Sequence, residues 1–337
     1  MVQNEPRTPA VSKGEAAVVG QRVIIGFFLI CMVVGLFLVD AWLSGLALAD
    51  PQAQGLVDWR GLLLHGGLLT LTTAVLVLAA TYEALGMAQV AGVKPAVGWA
   101  MLISVVLTIH PWVAYHVRGL SPDALGLIIL TIALIGSVAA IMLRKQTDGA
   151  IQDIASTWLA GVYLGLLASF AVRIRQEVPG GAGAWVVLWF IAVVKFTDIF
   201  AYGTGMAVGR HRLIPWLSPG KTWEGLAGGL AGAALISVLL LCASVIIEIG
   251  GIRHDIGFGV YLAVGLLGAL LGGIGQLGDL MESLLKRGAK QKDSAKLLPG
   301  FGGVFDLLDS PLLAAPAAWA LVRLFQHLRL IGAAPAY

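Results

Sequence analysis

Long, continuously apolar stretches alternate with short polar segments along most of the chain. Nine such stretches can be marked, and most approach the ~20 residues that an α-helix needs to cross a bilayer. Their approximate bounds are 23–39, 61–81, 96–115, 124–143, 156–172, 183–208, 224–247, 257–280 and 310–326. Because the apolar residues are contiguous rather than alternating, the strands of a membrane barrel are not expected. The pattern predicts an all-α, polytopic membrane protein with about nine transmembrane helices.

Composition supports this prediction and narrows the range of partners. Of the 337 residues, 58% are hydrophobic and only 12% are charged. A soluble domain carries about 25% charged residues, so most of this chain is expected to face lipid. The formal net charge is +3, which is too small to indicate a nucleic-acid partner.

The polar segments predict an organisation and an orientation. Residues 1–20 are expected to form a disordered cytoplasmic tail, residues 21–175 a set of N-terminal membrane helices, and residues 176–337 a C-terminal catalytic membrane domain. The predicted spans place about twice as many Lys and Arg residues on the side of the membrane that holds the N-terminus as on the opposite side. Positive charge concentrates in the cytoplasm, so we expect the N-terminus and the polar loops 209–223 and 281–309 to be cytoplasmic, in the cell (inner) membrane.

Ionisable residues inside the sixth stretch form the first candidate for chemistry. Lys195, Asp198 and Tyr202 recur at helical spacing and should share one face of a helix. A charged group within a span costs ~3 kcal/mol on insertion scales, so it usually faces a partner or a watery cavity. A local Lys195–Asp198 ion pair and a functional cavity are both compatible with the pattern, and the cavity is favoured.

The loop at 209–224 combines a helix-start signal with phosphate-binding residue types. Gly220, Lys221 and Thr222 end like a P-loop, but Pro215 stands where that motif needs glycine and no strand precedes it. A P-loop ATPase is therefore excluded. Ser218 and Pro219 are expected to open a helix with Thr222 and Glu224 in its first turn, where backbone N–H groups can hold an anion. An ordinary capped helix start is the alternative for this loop.

A polar stripe marks the end of the eighth stretch. It consists of Asp279, Glu282, Ser283, Lys286 and Lys290, which recur on one helical face. Asp306 and Asp309 follow the basic loop, one helical turn apart. Carboxylates from two converging helices, completed by substrate phosphates, suit Mg²⁺. A solvated positive-inside loop flanked by acids is the competing interpretation.

In their order and spacing, these residues resemble the phosphatidate cytidylyltransferase (CDP-diacylglycerol synthase) family. The resemblance covers residues 198–309, and beyond that range it rests on hydropathy alone. The matching positions are Asp198, Ala201, Tyr202, Ser218, Pro219, Lys221, Thr222, Trp223, Glu224, Gly225, Gly278, Asp279, Leu280, Glu282, Ser283, Lys286, Arg287, Lys292, Asp293, Ala295, Leu298, Pro299, Gly302, Gly303, Asp306 and Asp309. Phe301 stands where the family has His, and Leu307 where it has Arg.

The resemblance implies a reaction in which CTP and phosphatidate give CDP-diacylglycerol and pyrophosphate, with Mg²⁺ required. The attacking phosphate monoester is already ionised near neutral pH, because its second pKa is ~6. No general base is then needed, and the task is to position two polyanions in line and to offset their charge. A second, monovalent or divalent, cation and a homodimer are expected only from the resemblance.

Roles follow from the resemblance for individual positions. Asp279 and Asp306 are expected as metal ligands, with Asp309 as a third ligand or a support. The predicted phosphate clamps are Lys221, Lys286, Arg287 and Lys292. The remaining predicted substrate contacts are Ser218, Thr222, Glu224, Ser283, Asp293, Gly302, Gly303 and Asp198.

Two other functions remain to be weighed. The departures at Phe301 and Leu307 leave open a related nucleotidyltransferase that acts on another lipid phosphate. A polytopic transporter would also place Lys195 and Asp198 inside a span, but the two halves show no repeat symmetry and the charge gathers at one face.

Overall fold

The computed structural model describes residues 31–46, 59–246, 257–291 and 302–327, and most of these residues are helical. The helices are α1 (Cys31–Leu46), α2 (Trp59–Leu64), α3 (Gly67–Val90), α4 (Val97–His116), α5 (Pro122–Met142), α6 (Ala150–Trp158), α7 (Leu164–Glu177), α8 (Ala182–Val208), α9 (Trp223–Ile246), α10 (Phe258–Gly288) and α11 (Val304–His327). A π-helical turn, Leu159–Tyr163, joins α6 and α7 into one continuous span.

The predicted all-α membrane architecture is confirmed. Within the described residues, eight helical spans are long and apolar enough to cross a membrane, and α1 is a shorter apolar helix. Each coincides with one of the nine apolar stretches. The predicted tail at 1–20 lies outside the described residues.

Side-chain caps mark the starts of two helices. Ser121 accepts a hydrogen bond from the Ala124 amide at 3.4 Å, and Pro122 occupies the first helical position of α5. Thr222 similarly accepts from the Gly225 amide at 3.0 Å at the start of α9. These local bonds satisfy amides that have no partner within the helix.

Contacts between the connections define two ends of the bundle. At one end, here called the site end, the Lys94 amide donates to Asp153 at 2.7 Å, and α8 and α9 are joined by a β-hairpin. At the opposite end, called the far end, Arg173 pairs with Asp123 at 2.6 Å. Lys94 and Arg144 lie at the site end and Arg173 at the far end, which agrees with the opposite sides that the charge pattern gave them.

A buried ion pair closes the far end. Arg175 on α7 contacts Asp40 on α1 at 2.5 Å, and both side chains are almost fully buried. Asp40 also accepts from the Leu69 amide at 3.1 Å. Nearby, burial and then the charge of Arg175 lower the pKa of His65 to about 3, so this imidazole is neutral at physiological pH.

The main apolar core joins the helices that carry the candidate site. Its fully buried members include Ile174 on α7, Phe190 and Val193 on α8, Leu271 on α10 and Ala314 on α11. Interiors packed to crystal-like density hold their helices in one arrangement. The polar groups at the site end of α8, α10 and α11 are therefore carried by a shared rigid core.

Candidate active site

A two-stranded hairpin delivers Lys221 to the site. Strand β1 (Arg212–Ile214) pairs antiparallel with β2 (Ser218–Thr222), with Arg212 opposite Thr222 and Ile214 opposite Ser218. The expectation that Ser218 and Pro219 open a helix is therefore wrong, because these residues lie in a strand. The helix begins at Trp223. Pairing across the hairpin supplies β2 with hydrogen-bond partners that a local cap signal does not reveal.

Glu224 closes the base of this hairpin. Its Oε2 accepts from the Arg210 and His211 amides at 3.1 and 3.2 Å, and its Oε1 contacts His211 Nδ1 at 2.6 Å. Glu224 was predicted as a substrate contact. In this arrangement its oxygens bind the hairpin. The hydroxyl of Thr222, another predicted substrate contact, instead caps the start of α9.

Lys221 points from the hairpin onto α10. Its ammonium lies 2.7 Å from Asp279 Oδ2 and donates to Gln276 Oε1 at 2.9 Å. The amide of Gln276 in turn donates to Asp198 Oδ1 on α8 at 2.5 Å. Gln276, which sequence reasoning did not select, thus links the predicted Lys221 and Asp198 through one buried side chain.

Lys195 extends this network to α11. Its ammonium lies 3.9 Å from Asp198 and 3.7 Å from Asp309 Oδ1. The predicted pair of Lys195 and Asp198 is therefore present. The same ammonium also lies near Asp309 on another helix, so the pair is part of a larger polar group. Tyr202, predicted on the same face, is 72% exposed and does not join this group.

Three carboxylates come together where α10 and α11 approach. Oxygens of Asp279, Glu282 and Asp309 lie within 4.8 Å of one another, and Glu282 and Asp309 are buried. Two of these, Asp279 and Asp309, were predicted as metal ligands. Glu282 was recognised as part of the polar stripe and as a position that matches the family, but not as a metal ligand. The close approach of the helices is possible because Gly278 packs directly against the Asp309 carbonyl and Ser310.

Asp306 lies in a neighbouring group. Its Oδ1 contacts the Lys286 ammonium at 3.2 Å, and its Oδ2 accepts from the Gly303 amide at 2.8 Å. Lys286 also pairs with Glu282 at 2.8 Å, which connects this group to the three-carboxylate cluster. Gly302 has φ +88°, and a Cβ there would meet the Asp306 carboxylate, so the turn requires glycine.

The start of α11 is held by a residue from the N-terminal half. Glu83 on α3 accepts from the Val304 amide through Oε1 at 2.9 Å and from the Phe305 amide through Oε2 at 2.8 Å. The amides of Gly303, Val304 and Phe305 are thus all bound to carboxylates. The one signal for Glu83 in the sequence is an acid next to an apolar stretch.

The other predicted positions either take no part in the side-chain contacts described above or lie outside the described residues. Arg287 is exposed and Ser283 and Ser218 are half-buried. Lys292, Asp293 and Phe301 lie outside the described residues. Leu307, in the family's Arg position, is half-buried in the first turn of α11.

The donor set fits a hard divalent cation. Mg²⁺ takes oxygen ligands and usually binds one or two carboxylates together with substrate phosphates. The cluster of Asp279, Glu282 and Asp309 provides such oxygens on two rigid helices, and buried carboxylates this close repel one another without a counter-cation. Lys221, Lys195 and Lys286 surround the cluster, so positive charge is available for phosphate as well.

Comparison with known proteins gives the family of the chain. Residues 55–325 match the cytidylyltransferase family. The phosphatidate cytidylyltransferase of Staphylococcus aureus is 31% identical over 269 residues, covering 77% of this chain and 92% of that protein. The protein of the same name from Mycobacterium bovis is 35% identical over 187 residues, covering 54% of this chain.

The extent of the match differs between relatives. This chain spans about half the length of the mycobacterial proteins, 56% for Mycobacterium bovis and 52% for Mycobacterium tuberculosis. The match to the family covers most of the chain, including every helix of the candidate site. This chain belongs to the cytidylyltransferase family.

Proposed function

We propose that the protein is a CTP:phosphatidate cytidylyltransferase that makes CDP-diacylglycerol and pyrophosphate for phospholipid synthesis. The observation that carries the proposal is the cluster of Asp279, Glu282 and Asp309, ringed by Lys221, Lys195 and Lys286 at one end of a membrane bundle. Membership of the cytidylyltransferase family and the names of the relatives support the same reaction.

The depth of the cluster suits a lipid phosphate. Helix α10 has 31 residues, or about 46 Å at 1.5 Å per residue, which exceeds a hydrocarbon core of about 30 Å. Its polar stripe begins at Asp279, about 20 residues from its start. The carboxylates would then lie at the headgroup level, where the phosphate of phosphatidate is found.

The chemistry requires one bond to form and one to break. A phosphate oxygen of phosphatidate attacks the α-phosphorus of CTP, and the bond to the α–β bridging oxygen breaks, so pyrophosphate leaves with the electron pair. The attacking oxygen carries no proton near neutral pH. The residues therefore act by orientation and charge stabilisation rather than by proton transfer.

The residues of the cluster have distinct proposed tasks. Asp279, Glu282 and Asp309 would hold Mg²⁺, which when bound would offset charge on the transferring phosphates. Asp306 remains a proposed contributor through Lys286. Lys221 and Lys286 are paired with carboxylates, and an incoming triphosphate would offer their ammonium groups a stronger partner. Gln276 would orient the Lys221 ammonium toward the proposed triphosphate position beside Asp279.

Orientation, location and assembly are part of the proposal. The site end would face the cytoplasm, as the distribution of Lys and Arg favours, in the cell (inner) membrane. Labelling of a cysteine introduced in the hairpin by an impermeant thiol reagent, from inside-out vesicles alone, would agree with this orientation. A homodimer and a second cation rest on the family resemblance, and light scattering and metal analysis of purified protein test them.

A direct assay tests the reaction. Purified protein in mixed micelles with labelled CTP, phosphatidate and Mg²⁺ should form labelled CDP-lipid, and Asp279→Asn should reduce the rate by at least about 100-fold, since a proposed metal ligand is lost. Absence of CDP-lipid with the wild type would reject the proposal. Equal rates in the two proteins would reject the assigned role of Asp279.

A different lipid phosphate is a second candidate substrate, because the sequence departs from the family pattern at two positions. Leu307 and Phe301 replace a cation and a histidine of the family pattern, and Leu307 lies next to Asp306. The lipid phosphate could therefore differ, for example in being a polyprenyl or an ether-lipid phosphate. Competition between phosphatidate and these lipids in the same assay distinguishes them. The transporter interpretation loses support, because the charged groups of the candidate site gather at one end of the bundle.

A further inference from the structure

Glu83 is a buried acid of the N-terminal half that reaches the proposed active site. It lies on α3 and is 4% exposed, and its two oxygens bind the amides of Val304 and Phe305 at the start of α11. We infer that Glu83 is a positioning residue that sets where Asp306 and Asp309 on α11 lie relative to Asp279 and Glu282 on α10. Its catalytic consequence rests on the proposed function.

The two hydrogen bonds from Glu83 fix both the position of α11 along its axis and its rotation about that axis. The first amides of a helix have no partner within the helix, and an anion there is favoured by the helix dipole. Glu83 offers one oxygen to each of two successive amides. Because successive residues are 100° apart around the axis, a carboxylate bound to both resists sliding and turning of the first turn.

The acids of the site depend on that first turn. Asp306 lies one residue after Phe305 and contacts Lys286 at 3.2 Å. Asp309 lies one turn later and belongs to the cluster whose oxygens are within 4.8 Å of one another. A displacement of about 1 Å is enough to impair a positioned site. The register of α11 therefore controls both groups together.

The support for Glu83 comes from apolar packing. Val77, Ala80 and Met87 of α3 belong to one buried cluster with Phe305 and Leu312 of α11. Such packing brings the two helices together and holds them close. The hydrogen bonds from Glu83 add a fixed geometry at the first turn of α11.

The test uses Glu83→Gln in the full-length protein. Glutamine keeps the size of the side chain but replaces one acceptor oxygen by an NH₂ group, which would face a backbone N–H. We expect the affinity for Mn²⁺, measured by electron paramagnetic resonance without nucleotide or lipid, to fall by about 10- to 100-fold. The reduced rate of CDP-lipid formation should recover at high Mg²⁺.

Asp153→Asn is the matched control. Asp153 is also a buried acid at the site end that accepts from a backbone amide, that of Lys94 at 2.7 Å, and it pairs with Arg144. The Asp153→Asn variant is expected to lose thermal stability as Glu83→Gln does, while its Mn²⁺ affinity stays at the wild-type value. A purely structural role for Glu83 predicts the same behaviour in both variants.

Two outcomes would overturn the inference. One is a wild-type Mn²⁺ affinity in Glu83→Gln, and the other is an equal loss of affinity in both variants. If Glu83→Gln yields no folded protein, Glu83→Asp takes its place, and a wild-type affinity in that shortened variant overturns the inference as well. The Mn²⁺ measurement requires no turnover, so absence of CDP-lipid formation rejects the proposed function without rejecting this role.

Discussion

At the scale of single residues, each lysine of the site is held by carboxylates. Lys221 contacts Asp279 at 2.7 Å, and Lys286 contacts Glu282 at 2.8 Å. The local pattern predicted Lys195 and Asp198 correctly as neighbours, because they are one helical turn apart. It could not predict that Gln276 lies between Asp198 and Lys221, since those partners are 78 and 55 residues away from it in the chain.

Lys221→Met should separate metal binding from nucleotide binding. The ammonium at 2.7 Å from Asp279 competes with a cation for that carboxylate, so its removal should tighten Mn²⁺ binding several-fold. The same change should raise the KM for CTP by roughly 10-fold or more, as expected for a charge-assisted hydrogen bond of ~1.5–3 kcal/mol. Paramagnetic resonance and initial rates measure the two effects.

Lys145→Met provides the comparison for Lys221→Met. Lys145 is an exposed cation at the same end of the bundle, on the connection that follows α5. The Lys145→Met change should alter neither the Mn²⁺ affinity nor the KM for CTP by more than about twofold, because exposed charges are screened by solvent and salt. Weaker Mn²⁺ binding in Lys221→Met would mean that the lysine orients Asp279 instead of competing for it.

At the scale of elements, local signals predicted the long helices but failed at the hairpin. Ser218 and Pro219 carry a helix-start signal, yet they pair with β1 and the helix starts at Trp223. Pairing depends on residues from the other side of a turn, which a cap pattern does not include. The consequence is functional, because the strand directs Lys221 onto α10.

Gly278→Ala should disturb the contact between α10 and α11. A Cβ at this position would lie 2.5 Å from the Asp309 carbonyl and 3.0 Å from Ser310 Cα. Backbone cannot move away as a flexible side chain can, so we expect a loss of about 1–3 kcal/mol in stability. Activity should fall because Asp309 moves with its helix. Thermal unfolding in detergent and the cytidylyltransferase assay measure these changes.

Gly273→Ala is the control on the same helix. Its added Cβ would meet only Leu230 Cδ2, at the ordinary distance of 3.4 Å, and alanine is the better helix former by about 1 kcal/mol. Stability should equal that of the wild type or exceed it by up to about 1 kcal/mol, and activity should be unchanged. Similar losses in both variants would show that helix composition, and not the contact with α11, causes the effect.

At the scale of the whole molecule, chemistry and anchoring lie at opposite ends. The proposed site occupies the site end, whereas the Asp40–Arg175 pair joins α1 to α7 at the far end. The predicted division at residues 175 and 176 stays a prediction. Contacts do cross it, since Glu83 of α3 accepts from the Val304 amide of α11 at 2.9 Å.

Arg175→Met should destabilise the bundle without altering the chemistry of the site. It leaves the Asp40 carboxylate buried without its cation, and breaking such a pair costs about 3–5 kcal/mol. The melting temperature in detergent should fall clearly, while KM values measured well below it should be unchanged. The double variant Asp40→Leu with Arg175→Met should recover much of the loss. A double variant no more stable than Arg175→Met would contradict this account.

The sequence by itself determined the membrane class, the approximate spans and most of the charged residues of the site. These follow from local properties: the length of an apolar stretch, helical spacing and residue type. Only the tertiary structure decided which acids meet, grouping Glu282 with Asp279 and Asp309, and pairing Asp306 with Lys286. It also brought Glu83 to the start of α11, 221 residues away. Such contacts depend on how whole helices pack, and helix packing is set by many small contacts at once rather than by any single pattern along the chain.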